Sequence, residues 1–339
     1  MTTSSPSRIS AVRPLWAVEG GRVVIEGTGF DVDPVLPSVL IGGVAARLAT
    51  ASSTQLAAIV PPGLDGGHTP VRLEDVPGET AYVEIGAPVA TGLHQVDSPV
   101  IDRDGNVYVT FSGSRGQQGP VAIFVVRPDG SREPFVADLA NPTSLAFGPD
   151  GALYVSSRFD GSVHRVEKDG STAVVATDLG VACGIAFAKD GTLYVGDRSG
   201  SILRVRDGRA NAFASIPPSV AAFHLAFGPD GWLYVTAPTL GALDPVYRVS
   251  PDGDVHVFYE GFGRPQGLAF DARGDLYVVD ALAGASGVYR LRLSGSKNAP
   301  ANAEQILSGG ALIGLAFDPA AGFVLASSDT VYRFAEGPL

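Results

Sequence analysis

The sequence predicts an all-β protein with two parts, a small β-sandwich at residues 7–86 and a six-bladed β-propeller at residues 87–339 that an N-terminal strand closes. Three observations lead to this fold class. Glycine (43) and proline (25) are frequent while helix signals are scarce, which is typical of short strands joined by turns. A four-strand pattern recurs along most of the chain. One strand of that pattern stands alone in front of the first repeat.

Charge and composition exclude several classes of function. The net charge is −11 and no basic stripe is present, so we expect no nucleic-acid partner. The single cysteine, Cys183, rules out an internal disulfide and every multi-cysteine metal motif. No apolar run approaches the length of a membrane span, and the first residues lack the apolar region of a signal peptide. We therefore expect no membrane association and a cytoplasmic location.

The repeat consists of six units whose anchor residues lie 40 to 47 positions apart: Ile101, Phe147, Phe187, Phe227, Phe270 and Phe317. In each unit one strand ends at the anchor, a tight turn follows, and a second strand of the L-Y-V type comes next. A third strand such as SVHRV, a second turn and a fourth strand complete the unit. Asp-Gly pairs at these turns favour hairpins. Four strands in about 40 to 45 residues predict one propeller blade.

The sixth unit ends at TVYRFAEGPL after its third strand, so its fourth strand is missing. The segment PVATGL at Pro88–Leu93 resembles the strand that closes each earlier unit. We predict that this segment pairs with the last unit and closes the ring, because closure removes the exposed edges of the first and last blades.

Residues 7–86 contain about seven short strands separated by turn residues, as in a β-sandwich. The glycine-rich run from Pro14 to Phe30, the V-x-I-G-G-V-A-A-like stretch at Ile41 and the V-P-P-G of Val60–Gly63 resemble the IPT/TIG family of immunoglobulin-like domains. The resemblance implies an immunoglobulin-like fold and a role as an interaction or spacer unit, with a protein partner. Almost no linker precedes the closing strand, so we predict a fixed relation between the two parts.

The mouth of the propeller channel is the expected site of binding, because the innermost strands and the loops between second and third strands open on one face. The position four residues before each anchor is predicted to face this opening. Around the ring these residues are Asp97, Thr143, Cys183, Phe223, Gln266 and Ile313. The loops on this face are long in units one, four and five, which predicts an uneven rim.

The motif x-G-L-A-F-x-x-x-G-x-L-Y-V, repeated from Pro88 to Leu339, is similar to NHL-repeat proteins and to the SMP-30/gluconolactonase family. The second resemblance implies a divalent cation, Ca²⁺ or Zn²⁺, held by Glu in the first blade, Asn in the third and fourth, and Asp in the fifth. The stretch D-S-P-V-I places Asp97 where that Glu would stand. At the other three positions this chain has Cys183, Phe223 and Gln266. These groups do not supply the ligand set of either ion, so we predict a degenerate site with Asp97 as its one metal-ligand candidate.

Two further groups carry candidate chemistry. Cys183 and His224 lie in neighbouring units and suggest a thiol and imidazole dyad, but a small buried thiol beside a satisfied histidine is the interpretation we favour. Arg115, Arg158 and Arg198 follow second strands on the mouth face, where guanidinium groups can bind an anion bidentately. Solvated loop arginines are nevertheless the commoner case.

We predict a non-catalytic protein that binds a small molecule or peptide at the channel mouth. The candidate ligand-binding residues are Asp97, Thr143, Cys183, Phe223, His224, Gln266, Arg158 and Arg198. One alternative is a sugar-lactone hydrolase in which Asp97 binds a metal or acts as a base. Another is a purely structural interaction module, because fold alone does not determine function.

Overall fold

The computed structural model describes residues 7–74, 76, 80–221, 223–281, 285–293, 302–318 and 322–336. These residues form strands, turns and bends and no helix, which confirms the all-β class. None of them belongs to a helix that could cross a membrane. Residues 282–284 of the fifth unit's rim loop and the last three residues of the predicted propeller lie outside the described residues.

The N-terminal sandwich has eight short strands in the spatial order β1, β3, β6, β5, β4, β7, β8, β2. Their bounds are β1 Arg8–Arg13, β2 Trp16–Ala17, β3 Arg22–Thr28, β4 Val39–Ile41, β5 Val44–Ala51, β6 Gln55–Ile59, β7 Gly67–Leu73 and β8 Thr80–Ile85. Strand β5 pairs with β4 through its first residues and with β6 through its last, so it joins the two layers. Alternating apolar residues such as Val23, Ile25 and Leu56 fill the space between the layers.

The remaining strands form antiparallel four-strand units. The first three units are β10 Val100–Ile101, β11 Val107–Thr110, β12 Ile123–Val126, β13 Arg132–Val136; β14 Pro142–Phe147, β15 Leu153–Ser157, β16 Ser162–Val166, β17 Thr172–Ala176; and β18 Ala182–Phe187, β19 Leu193–Asp197, β20 Ser201–Arg206, β21 Arg209–Ser215. The others are β22 His224–Phe227, β23 Leu233–Thr236, β24 Asp244–Val249, β25 Val255–Phe262; β26 Pro265–Phe270, β27 Leu276–Asp280, β28 Gly287–Leu291, β29 Glu304–Ser308; and β30 Leu312–Phe317, β31 Phe323–Ser327, β32 Val331–Phe334 with β9 Ala87–Ala90.

Five of these units are separate four-stranded sheets, whereas six blades were predicted. The remaining four strands, β26 to β29, form one end of a twelve-stranded sheet that continues into the sandwich. The cause is β2, which pairs in parallel with β8 on one side and with β29 on the other. The number of separate blade sheets is therefore five instead of the six predicted blades, because the outer edge of the fifth unit pairs with the sandwich.

Strand β9 pairs antiparallel with β32, placing Ala90 opposite Val331 and Pro88 opposite Tyr332. The closing strand predicted from the orphan segment is thereby confirmed. Strand β9 lies only one residue beyond β8, so the same stretch of chain ends the sandwich and completes the last unit.

The inner strands β10, β14, β18, β22, β26 and β30 neighbour one another around a closed ring. Neighbouring units are joined by a recurring aromatic contact, in which the tyrosine of one L-Y-V strand meets the anchor phenylalanine of the next unit edge-on. Examples are Tyr154 with Phe187, ring centres 4.8 Å apart, and Tyr234 with Phe270, 5.0 Å apart. Such pairs contribute about 0.5–1.5 kcal/mol beyond their burial, which explains why both aromatic positions recur in the repeat.

Candidate functional site

The axis of the propeller is crossed by a buried pair of side chains, Asp97 and His224. Nδ1 of His224 hydrogen-bonds to Oδ1 of Asp97, and the same oxygen accepts the backbone N–H of Ser98 at 2.6 Å. The two residues are 5% and 2% exposed. Asp97 immediately precedes the inner strand of unit one and His224 begins that of unit four, so the pair joins parts of the ring that are three units apart. An ionised carboxylate only accepts hydrogen bonds, so with Asp97 in that form Nδ1 of His224 is the donor of this pair.

The imidazole can cross the axis because its neighbours at the same level are small. The position three residues before each anchor is occupied by Ser98, Ser144, Gly184, His224, Gly267 and Gly314. At Gly314 a Cβ atom would lie 2.4 Å from Cα of Ser98, and at Gly267 it would lie 2.6 Å from Cα of Gly314. The inner strands approach too closely at this level for larger side chains elsewhere in the ring. His224 is thus the one large side chain of this level.

A cavity of about 320 Å³ lies along the channel on the anchor side of the pair. Its lining runs from Asp97, Ser144 and His224 to the anchors Phe187 and Phe317. The cavity therefore opens away from the rim loops, and the Asp97–His224 pair separates it from the mouth.

The other residues of the predicted ring are not brought together around the channel in the way that Asp97 and His224 are. Cys183 and Phe223 pack in an apolar cluster between units three and four. The hydroxyl of Thr143 donates to the backbone carbonyl of Asn141 at 3.1 Å. Gln266 is buried and Ile313 is half-buried. The ring thus combines one polar pair with side chains that mainly pack between units.

Cys183 is 1% exposed, and burial raises the pKa of its thiol to about 12. The positive charge of Arg198 opposes this shift but is the smaller effect. Among the described residues, no hydrogen bond joins Cys183 to His224, whose Nδ1 is bound to Asp97 instead. A protonated, enclosed thiol has none of the features of an activated nucleophile.

Arg158 and Arg198 occupy equivalent places on the mouth face, each directly after the second strand of its unit. Their backbone N–H groups donate at 3.3 Å to Asn141 and Val181, which precede the inner strands. The guanidinium of Arg158 contacts the carbonyl of Gly113 in unit one at 3.5 Å, and that of Arg198 donates to the carbonyl of Val220 at 2.8 Å. Arg158 therefore points toward the preceding unit and Arg198 toward the following unit, so the two guanidinium groups point in opposite directions around the mouth.

Arg158 lies near two other positive charges at the mouth. Burial lowers the pKa of Arg158, and the positive charges of Arg198 and Arg115 lower it further. Within the described part of the chain, neither Arg158 nor Arg198 forms an ion pair with a carboxylate. Asp197 precedes Arg198, but its carboxylate accepts the N–H of Val181 at 2.8 Å.

Exposed apolar side chains accompany these arginines on the rim. Phe159 follows Arg158 and is 51% exposed, and Val220 is 37% exposed. In the long loop of unit four, Leu240 and Leu243 are 90% and 71% exposed. The rim therefore offers cationic and apolar groups side by side, a combination that often marks binding surfaces.

The cation implied by the family resemblance does not fit these residues. Asp97 is hydrogen-bonded to His224 and Ser98, Phe223 offers no ligand atom, and the thiol of Cys183 stays protonated. No group of three or more His, Cys, Asp or Glu side chains arranged for a metal occurs among the residues that the structure describes. Ca²⁺ needs six or more oxygen ligands and Zn²⁺ needs three or four N, S or O ligands, and neither set is present here.

Comparison with protein families separates the two parts of the chain. The model of the IPT/TIG domain matches residues 6–82. The model of the SMP-30/Gluconolactonase/LRE-like region matches residues 152–336, more than half of the chain. The chain belongs to the SMP-30/gluconolactonase family. Its N-terminal sandwich is an IPT/TIG domain, as the sequence indicated. The additional similarity to NHL repeats stays a prediction.

Solved structures with the same fold come from several bacteria. A gluconolactonase from Xanthomonas campestris has 17% identity and a TM-score of 0.60, covering 73% of this chain and 88% of that chain. An auxiliary nutrient binding protein from Bacteroides ovatus has 14% identity and a TM-score of 0.54, covering 97% of this chain and 98% of that chain. Virginiamycin B lyase from Staphylococcus aureus has 17% identity and a TM-score of 0.51, covering 72% and 96%. No curated protein matches the sequence.

The sequence placed Asp97 and His224 in one candidate site but did not predict that they bind each other. The signal was present in the repeat: at the position three residues before the anchor, His224 replaces the glycine or serine of the other units. A long polar side chain at a level where the neighbours must be small can reach across the axis, and an acid on the far side is the partner it requires.

Proposed function

We propose that this member of the SMP-30/gluconolactonase family is a non-catalytic binding protein that takes a small molecule at the mouth of its propeller. The Asp97–His224 pair carries this proposal. The acid that would hold a cation in a hydrolase of this family is engaged by a histidine from the other side of the ring. With the channel closed below by the pair, the accessible groups at the mouth are the rim arginines and the apolar side chains near them.

A nutrient binding protein from Bacteroides ovatus matches 97% of this chain, so a binding role is compatible with the whole two-part arrangement. A structure of virginiamycin B lyase from Staphylococcus aureus covers 98% of the chain, so coverage alone does not separate binding from catalysis. In our proposal the IPT/TIG domain holds the propeller in place and offers a surface to a protein partner.

The test combines metal content, catalysis and binding on the purified full chain. We expect less than stoichiometric Ca²⁺, Zn²⁺ or Mn²⁺ by elemental analysis, no hydrolysis across a panel of sugar lactones with or without added metal, and stabilisation by at least one compound in a thermal-shift screen. A stoichiometric cation that Asp97→Ala removes, together with lactone turnover, would refute the proposal. Absence of any stabilising compound would instead favour the structural module.

One observation favours lactone hydrolysis as a second candidate. Nε2 of His224 is buried without a hydrogen-bond partner among the described residues, while Nδ1 is held by a carboxylate. An imidazole oriented in this way is the arrangement of a general base. Metal-independent turnover that His224→Gln abolishes, with the fold intact by circular dichroism, would establish this function in place of the first.

A further inference from the structure

We propose that the space between strands β3 and β6 of the sandwich and strand β29 of the fifth unit, here named the interdomain cleft, is a second ligand site. Its ligand is a neutral molecule with several hydroxyl groups, such as a short oligosaccharide. The interdomain cleft contains none of the ring positions of the channel mouth, so this inference does not depend on the function proposed for the mouth.

The interdomain cleft is a cavity of about 860 Å³ with fixed walls. The N–H of Arg22 donates to the hydroxyl oxygen of Ser308 at 2.7 Å. A Cβ atom at Gly21 would collide with the carbonyl oxygen of Ser308, so the two domains are in direct backbone contact beside the cleft. Strand β2 also joins them, by pairing with β8 and with β29. The volume and the position between two domains are typical of small-molecule sites.

The charged side chains of the interdomain cleft are largely paired with each other. Nη2 of Arg290 lies 2.8 Å from Oε2 of Glu304, and across from them Nε of Arg13 lies 3.9 Å from a carboxylate oxygen of Glu26. Because each of these guanidinium groups has a carboxylate beside it, a charged ligand of either sign would lie next to a like charge. The remaining guanidinium, that of Arg22, is exposed, and water and salt screen its charge. A neutral ligand is therefore favoured.

The polar groups also determine which hydrogen bonds a ligand has to make. Guanidinium groups only donate and ionised carboxylates only accept, whereas the carboxamides of Gln55 and Gln305, one from each wall, do both. A ligand with acceptors alone would leave the carboxylates without a partner, and a ligand with donors alone would do the same to the guanidinium groups. Because a hydroxyl both donates and accepts, a molecule with several hydroxyls can bond to all of them.

Apolar side chains form the rest of the lining. Trp16 packs against the core of the fifth and sixth units and also lines the interdomain cleft. Leu15 beside it is 55% exposed, and Val24 and Ile59 add apolar surface from the sandwich wall. A sugar ring carries an apolar C–H face as well as hydroxyls, so it can cover these side chains and bond to the polar groups at the same time.

Trp16 provides a direct readout of binding. The chain has two tryptophans, so Trp232→Phe in the fourth unit leaves Trp16 as the only indole. In this full-length variant we expect cellotriose, maltotriose or triacetylchitotriose to change the fluorescence of Trp16, with a Kd of about 1 mM or below for at least one of them. Trigalacturonate, which carries carboxylates, should bind about tenfold or more weakly than that trisaccharide.

Two substitutions on β5 form a matched pair in the same background. Ala49 lines the interdomain cleft, whereas Ala45 is exposed on the part of the strand that pairs with β4. Ala49→Phe should fill part of the cleft and reduce the affinity for the trisaccharide by about tenfold or more, and Ala45→Phe should leave it unchanged.

Three results would overturn the inference. They are no fluorescence response to any of the neutral trisaccharides, an affinity that Ala49→Phe leaves unchanged, and binding of trigalacturonate as tight as that of the neutral compounds. If Ala49→Phe fails to fold, Gln55→Phe decides in its place, because Gln55 is an exposed residue of the same cleft. The thermal-shift screen tests the mouth separately, so the two proposals can fail independently.

Discussion

The imidazole of His224 and the carboxylate of Asp97 hydrogen-bond to each other across the axis of the propeller, with both side chains almost completely buried. Residues 127 positions apart in the chain are thereby joined inside a ring whose circumference is closed by the pairing of β9 with β32. The pair is therefore a second closure of the propeller, at its centre instead of its circumference.

Removing either partner is expected to destabilise the protein strongly, because the other is left buried and unpaired. We expect His224→Ala and Asp97→Ala each to lower the free energy of unfolding by about 3–5 kcal/mol in urea denaturation. The double variant should cost much less than the sum of the two, because the partners interact directly.

The sandwich offers a matched control in His68 and Glu84, which form the same kind of hydrogen bond with side chains 63% and 39% exposed. There we expect His68→Ala to cost less than about 1 kcal/mol, since exposed pairs contribute little. If His68→Ala and His224→Ala lowered the free energy of unfolding by similar amounts, burial would not explain the contribution of the Asp97–His224 pair to stability.

Cys183 is expected to be chemically inert in the folded protein. Burial raises the pKa of its thiol to about 12, so at about pH 8 almost no thiolate forms and a thiol reagent such as Ellman's reagent should not react. The same reagent should titrate the single thiol completely in guanidinium chloride. Rapid reaction of Cys183 in the native state would contradict its buried placement and would make the thiol a candidate functional group again.

The same shift predicts a dependence of stability on pH. The thiol of the unfolded chain ionises at about pH 8.5, whereas that of the folded chain stays protonated. The unfolded state therefore binds fewer protons than the folded state above this pH. Stability should therefore fall as the pH rises from about 8.5 to 9.5, before most of the tyrosines of the unfolded chain, whose pKa is about 10, ionise. Cys183→Ala should show a smaller slope in this interval, and an unchanged slope would assign the effect to other groups.

The closing strand permits a direct test of its register. Ala90 and Val331 lie opposite each other in the β9–β32 pair, a separation that suits a disulfide. The double variant Ala90→Cys and Val331→Cys should form a reducible cross-link, seen by mass spectrometry of proteolytic fragments. Ala90→Cys with Tyr332→Cys should cross-link poorly, because adjacent residues of a strand face opposite sides. Equal yields in the two variants would mean that the register is different.

Much of the fold follows from local signals in the sequence. Asp-Gly turns, L-Y-V strands and the repeated phenylalanine anchors predict the four-strand units, and the missing fourth strand of the last unit predicts its replacement by β9. The fusion of the fifth unit with the sandwich has no such signal. Strand β2 contains only Trp16 and Ala17, and its pairing with β29 joins segments almost the full chain length apart.

The site was harder to predict than the fold because side-chain direction depends on details of the inner strands. Several inner strands are irregular near their first residues, as between Pro142 and Leu145 in unit two. An irregularity of this kind changes which face a side chain occupies, and repeat spacing does not reveal it. Cys183 and Phe223 accordingly pack between units. Asp97, four residues before its anchor, binds His224, which lies three residues before its own anchor.

The shared sheet predicts that sandwich and propeller unfold together. The N–H of Val18 donates to the carbonyl of Ser308 at 3.0 Å directly after β2, and the side chain of Val18 lies in the core of the fifth and sixth units. Val18→Pro removes this donor and should cost about 1–3 kcal/mol more than Val18→Ala, which loses packing but keeps the hydrogen bond. By differential scanning calorimetry we expect one transition for the wild-type chain and for Val18→Ala, and two for Val18→Pro. Two transitions in the wild-type chain would show that the sandwich and the propeller unfold separately. The β2–β29 pairing would then contribute too little free energy to couple the unfolding of the two domains.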